Sequence, residues 1–188
     1  MLVLPEKLVV FDLETTDSAA GPIEIIEVGA VVLNTDMSEV DSFSMLVRPS
    51  KLENVTEFIT AITGLTKENL EDAEPWDQCW PLWTEFTHFN GLTLASWGSH
   101  FDMAVLRQQY DMCGLGFPHN GSGMCVKSMA FLMCGWFGFR PKRWKMASVA
   151  QRLEAKVVGP EHRALSDAKT AANVLRRIDE LIDIHVGS

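Results

Sequence analysis

Residues 9–17 read VVFDLETTD, two carboxylates one residue apart inside an apolar run. The run from Lys7 to Leu13 is rich in β-branched and aromatic residues and predicts a strand. Side chains alternate across a strand, so Asp12 and Glu14 project from one face about 7 Å apart while Phe11 and Leu13 take the other. Like charges on one surface repel, and leaving both ionised without a partner costs several kcal/mol. Two partners are open: a divalent cation, or a lysine or arginine at a solvated strand end.

The rest of the chain narrows that choice. Its 188 residues give room for one well-packed domain, taken as 1–188. No apolar run approaches a membrane span, and Pro5, Glu6 and Lys7 break the N-terminal run too early for a signal-peptide core, so a cytoplasmic protein with no membrane contact is expected. Cys79, Cys113, Cys125 and Cys134 are irregularly spaced with no Cys-x-x-Cys pair. That spacing argues for reduced thiols and against a zinc knuckle or a disulfide framework. The formal net charge of −9 excludes holding nucleic acid by bulk electrostatics, so such a partner needs a local basic patch or a bound metal.

Strands come first and helices later. IEIIEVGAVVLN and VDSFSMLVRP predict two further strands joined by the turn TDMSE, completing an antiparallel meander. TEFITAITGLTKENLEDA predicts short helical turns separated at Gly64. In EPWDQCWPLWTEFTHFN the apolar residues Trp76, Cys79, Trp80, Trp83, Phe86 and Phe89 recur at helical spacing, interrupted by Pro81. That spacing assigns the tryptophans to the core. LTLAS predicts a brief strand, and helices are expected over HFDMAVLRQQYDMCG, ended by Gly114, over MASVAQRLEAK and over SDAKTAANVLRRIDELIDIHV. The pattern predicts an α/β domain, whose sites gather at strand ends.

Two later acids bear on the first pair. In LASWGSHFDMAVL, Asp102 falls in the first turn of a helix with Ser99 three residues before it, which also describes an N-cap at Ser99 and an acid favoured by the helix dipole. In EHRALSDAKTAANVL, His162 precedes Asp167 by five residues. Asp167 leads the stripe Ala171, Val174 and Ile178 that should pack on the sheet, and His162 lies in the turn after Gly159 and Pro160.

This order, Asp-x-Glu on the first strand, an aspartate at a strand-to-helix turn, then His-x-x-x-x-Asp opening the final helix, resembles the DEDDh 3′–5′ exonucleases of the RNase H-like superfamily. FDLETT, ITGLTKENLEDA, SWGSHFDMAVL and HRALSDAKTAANVL look most like the Eri-type exoribonucleases. The resemblance implies an RNase H-like fold: a central mixed five-stranded sheet, an antiparallel meander plus parallel strands, flanked by α-helices. It also implies hydrolysis of phosphodiester bonds at the 3′ end of single-stranded RNA or DNA, RNA favoured, releasing nucleoside 5′-monophosphates. Two Mg²⁺ or Mn²⁺ ions roughly 3.5–4 Å apart would stabilise the attacking, transferring and leaving groups. By this resemblance Asp12 bridges both ions, Glu14 and Asp167 complete one, and Asp102 holds the other. His162 is then the general base, a role that suits a side chain titrating near neutrality.

The same resemblance has Leu13, Thr15 and Thr16 cover the terminal nucleotide, while the alternation of the strand reads Leu13 as core. FRPKRWK gathers Arg140, Lys142, Arg143 and Lys145 around Trp144 in an otherwise acidic chain. Such a loop either tracks a strand's phosphates with Trp144 stacked on a base or is a solvated basic loop. His100 stands close to Asp102 in sequence, and His88 and His119 receive no role. A catalytically silent binding or docking module, or a proofreading subunit of a polymerase, would have the same fold. All five signature residues favour the enzyme. The exposed edge of the meander permits a homo-oligomer that nothing in the sequence requires.

Overall fold

The computed structural model describes Leu4 and residues 6–88, 92–119 and 123–186. Strands β1 (Leu8–Thr15), β2 (Ile25–Leu33) and β3 (Glu39–Leu46) form the expected antiparallel meander. Strand β4 (Thr93–Ser96) lies parallel to β1 on its other side, and β5 (Met124–Cys125) lies parallel to β4. The sheet order is β3-β2-β1-β4-β5, the mixed five-stranded RNase H-like arrangement.

Alternation along β1 sends its side chains to two cores. Leu8 and Val10 join Val31 and Leu33 beneath helices α5 (Val126–Trp136), α6 (Met146–Leu153) and α7 (Ala164–Val186). Val9, Phe11 and Leu13 join Val28 and Ala30 against α3 (Trp76–His88) and α4 (Ser99–Met112). A third cluster gathers Ile26 with Val55, Ile59, Leu65 and Leu70. It sits where α1 (Glu57–Thr63), capped by Thr56 and ended by Gly64, meets α2 (Lys67–Glu71). Burial of this kind stabilises by about 25 cal/mol per Å² of apolar surface, so β1 is held on both sides up to the point where its carboxylates begin.

The elements differ from expectation at three points. Helix α3 runs through Pro81 without interruption. The proline removes one backbone hydrogen bond a turn and a half into the helix, and the full burial of Trp76 and Trp83 on either side offsets it. Ser99 is the first residue of α4 rather than its N-cap; Gly98 takes that place and no side chain caps the helix. The third difference is α5 and the short β5 before it, which no periodicity announced. Val126, Met129, Ala130, Phe131, Leu132, Met133, Cys134 and Trp136 leave α5 apolar on nearly every side, so it carries no stripe. The expected Phe89 falls outside the described residues. Among those described, no helix is long and apolar enough to cross a membrane, and all four cysteines are free thiols.

Candidate active site

The register of the meander sets the first half of the site. Pairing β1 with β2 places Glu14 opposite Glu27 and Asp12 opposite Gly29, all on the face covered by α7. A Cβ at Gly29 would lie 2.0 Å from the backbone nitrogen of Leu165, so only glycine lets the start of α7 settle directly on the sheet. Glu27 fastens it there. Its carboxylate accepts from the Ala164 N–H at 3.0 Å, from Arg163 Nη2 at 2.8 Å and from Arg163 Nε at 3.2 Å. Asp167, one turn into α7, is thereby brought beside Asp12 and Glu14.

The other two signature residues arrive from opposite sides. Because β4 pairs Val10 with Ala95, it ends at Ser96 level with the start of the acidic stretch. Ser96 Oγ donates to Asp102 Oδ2 at 2.7 Å, which fixes that carboxylate at the first turn of α4. His162 lies in the loop before α7, where Gly159 and His162 both hold left-handed backbone, at φ +60° and +58°. A side chain at Gly159 would collide with Ser166, and the strained His162 donates its N–H to Asp167 Oδ2 at 2.9 Å. The imidazole is exposed on one rim of a cavity that Asp12, Glu14, Asp102 and Asp167 line from below.

Four carboxylates in so little space resist ionisation together. Burial, then Asp102, Glu14 and Asp167 in that order, raises Asp12 well above the usual aspartate range. Burial and the neighbouring acids push Glu14 up to about 8. Asp102 is pushed up to about 6 by burial, tempered by the Ser96 hydroxyl, and burial also raises Asp167. Arg163, whose charge favours ionised Glu14, is committed to Glu27. Such a cluster fits a hard divalent cation, which would supply the missing positive charge through oxygen ligands. Ligand atoms of Glu14, His162 and Asp167 already lie within 4.8 Å of one another. The cavity has a volume of about 430 Å³, toward the small end of ligand pockets, about 300–1,000 Å³.

The structure brings Asp12, Glu14, Asp102, His162 and Asp167 to one cavity, together with Leu13 and Trp144. Leu13 packs in the apolar core and also lines the cavity. Thr15 and Thr16 do not line it. Thr16 is buried and closes the β1–β2 ladder, its Oγ1 accepting from the Glu24 N–H at 2.9 Å. Arg140, Lys142 and Arg143 are exposed outside the cavity, whereas Lys145 borders it. His100 lines the cavity and its charge favours ionised Asp102. Sequence reasoning missed Glu27 and Lys127. Glu27 had a legible signal, a lone acid in phase with the buried positions of β2; Lys127 had none, because α5 itself was not foreseen.

The family model described as Exonuclease, RNase_T, matches residues 9–175. Over 98% of its length the chain is 28% identical to a DNA polymerase III PolC-type protein of Caldanaerobacter subterraneus subsp. tengcongensis, of which it spans only 12%. A probable 3′-5′ exonuclease KapD of Bacillus subtilis is 26% identical over 84% of this chain and 74% of its own. The fold superposes on the nuclease domain of 3′hExo, a DEDDh family member bound to rAMP, with a TM-score of 0.75 and 22% identity over 95% of this chain and 92% of that one.

Proposed function

Because the chain belongs to the exonuclease family, of DEDDh type, we propose that its span 1–188 is a divalent-metal-dependent 3′–5′ exonuclease domain acting on single-stranded nucleic acid in the cytoplasm. The convergence of Asp12, Glu14, Asp102, Asp167 and His162 on one cavity carries the reading. Asp12, Glu14, Asp102 and Asp167 would hold two Mg²⁺ or Mn²⁺ ions, which would supply Lewis acidity to the phosphoryl group. As the water oxygen bonds to phosphorus and the bond to the 3′-oxygen breaks, His162 takes the proton of the attacking water and the leaving 3′-oxygen takes one from solvent. Its place on the rim lets the imidazole reach both that water and solvent, to which the proton then passes.

The rest of the chain's work is placement. Glu27 and Arg163 anchor the segment that carries His162 and Asp167, and Ser96 holds Asp102 in one orientation. Leu13 presents an apolar surface to the terminal nucleoside, and Lys127 and Lys145 offer charge to its phosphates at the mouth. The product is a nucleoside 5′-monophosphate. RNA and DNA both fit these contacts, since no residue of the site is assigned to the 2′-hydroxyl.

The test is a time course on single-stranded RNA and matched DNA, labelled at either end, in Mg²⁺, in Mn²⁺ and in EDTA. Stepwise shortening from the 3′ end that EDTA abolishes is the expected result. Folded, metal-binding protein that cleaves neither substrate would instead make the domain a binding module.

A further inference from the structure

The cavity has one wall that the catalytic residues do not explain. Lys127 borders it from α5, and Phe131 follows one turn later on the same ridge of that helix, 56% exposed. Gly135 comes a further turn along, with open space where a side chain would stand, so the ridge stays flat. Leu132 and Trp136, roughly 100° and 140° round the helix from Phe131, are 69% and 71% exposed. The chain then turns at Gly138 and returns through residues 139–145. Trp144 lands against Phe131 with ring centroids 4.8 Å apart, and it borders the cavity at the same time.

The returning loop is strongly cationic. Arg140, Lys142, Arg143 and Lys145 are all exposed, and among the described residues none of them is in an ion pair. In a chain of net charge −9 this is a local concentration of positive charge alongside the Phe131–Trp144 ring pair. Exposed aromatics for a protein partner do not need such a rim. A polyanion with flat apolar bases needs both, the rings for stacking and the cations for its phosphates. The pair also borders the cavity through Trp144, with Lys127 lining the same cavity, so its occupant is continuous with whatever the cavity holds.

We propose that Trp144 and Phe131 form a stacking platform for the nucleotides immediately 5′ of the terminal one, with the 140–145 loop following their phosphates. The platform deepens the exonuclease reading and rests on it for the identity of the strand. A cavity of about 430 Å³ holds little more than the terminal nucleotide, so the platform makes affinity grow with strand length. It reads no base in particular, because every base offers a face to stack.

The test measures binding and hydrolysis separately. Nuclease-resistant phosphorothioate oligothymidylates and oligouridylates, as dinucleotides and as strands of about 12 nucleotides, are titrated by fluorescence anisotropy with Mg²⁺ and with EDTA. Phe131→Ala is expected to weaken the longer strands about tenfold and leave the dinucleotides unchanged, whereas Phe131→Tyr, which keeps a ring, restores wild-type binding. Melting curves check that Phe131→Ala is folded, and Trp136→Ala, at an exposed position on another face of α5, is expected to bind every strand as the wild type does. Affinity independent of length in the wild type, unchanged affinity of folded Phe131→Ala for the longer strands, or a loss in Trp136→Ala as large as in Phe131→Ala overturns the platform. Hydrolysis of a chromogenic mononucleotide ester reports on the active site alone. Ester hydrolysis with length-independent binding sinks the platform and keeps the exonuclease; ring-dependent binding without hydrolysis of any substrate does the reverse.

Discussion

Glu14 and Glu27 face each other across β1 and β2, 8% and 2% exposed, in opposite circumstances. Glu27 is fully partnered, with a guanidinium and a helix N-terminal N–H on its oxygens. Glu14 meets acids instead, and is held up at about 8 by burial and by Asp167, Glu27 and Asp102. The same residue type, buried in both places, has its charge met by the chain at Glu27 and faces further acids at Glu14. What separates the two patches is the direction of one side chain, that of Arg163.

The largest expected effect tests the uncompensated patch. Asp12→Ala should abolish metal-stimulated hydrolysis, lowering turnover on the order of 10³-fold or more, and should weaken metal binding measured by calorimetry. A variant with near-native turnover would put Asp12 on the structural side of the comparison. Next in size, His162→Ala should lower turnover by about 10²–10⁴-fold while metal still binds, since in the proposed mechanism the imidazole moves a proton rather than balancing the charge of the acids. Full activity of that variant sinks the base assignment.

Removing the partnered acid should act on stability. Glu27→Gln loses the ion pair but keeps an acceptor for the Ala164 N–H. With Arg163 43% exposed and free to turn to water, the cost is about 1–3 kcal/mol, a melting temperature lower by about 3–10 °C. Glu14→Gln should do the opposite in metal-free protein at pH about 8, raising the melting temperature by a few degrees. Equal losses in both variants would erase the distinction between the two sites.

The smallest effect is the pH dependence of metal-free protein. Glu14 titrates near 4.5 when unfolded and near 8 when folded, so between those values the folded state keeps a proton that the unfolded chain has released. Stability is therefore fullest below about 4.5 and falls as pH rises toward about 8. EDTA-treated protein should melt a few degrees lower at pH about 8 than at about 5, with the slope reduced in Glu14→Gln. Added Mg²⁺ should recover the loss at the upper end. A flat profile would mean that the cluster is already neutralised from within the chain.

Much of this was legible in the residues. The alternation of VVFDLETT located β1 and the shared face of Asp12 and Glu14, and the apolar stripe behind Asp167 located α7 and the face it buries. Helix α5 was not legible because an element buried or apolar on most sides has no period to read, and the platform residue Phe131 went with it. Ser99 followed a capping pattern that the structure does not use, since the local signal cannot weigh Ser96, fixed by β4, as the partner of Asp102.

By itself the sequence determined the chemistry available: which carboxylates share a strand face, which acid leads a buried helix, and that a histidine stands five residues before it. These follow from periodicities of two and 3.6, which act within one element. Only the tertiary structure decided which charges meet. The β1–β2 register set Glu14 against Glu27, the bare backbone of Gly29 let α7 descend onto the sheet, and Arg163 turned to one of two facing acids. Electrostatic energy depends on distances between elements remote in sequence, so a chain read one element at a time shows the acids and not the balance of charge among them.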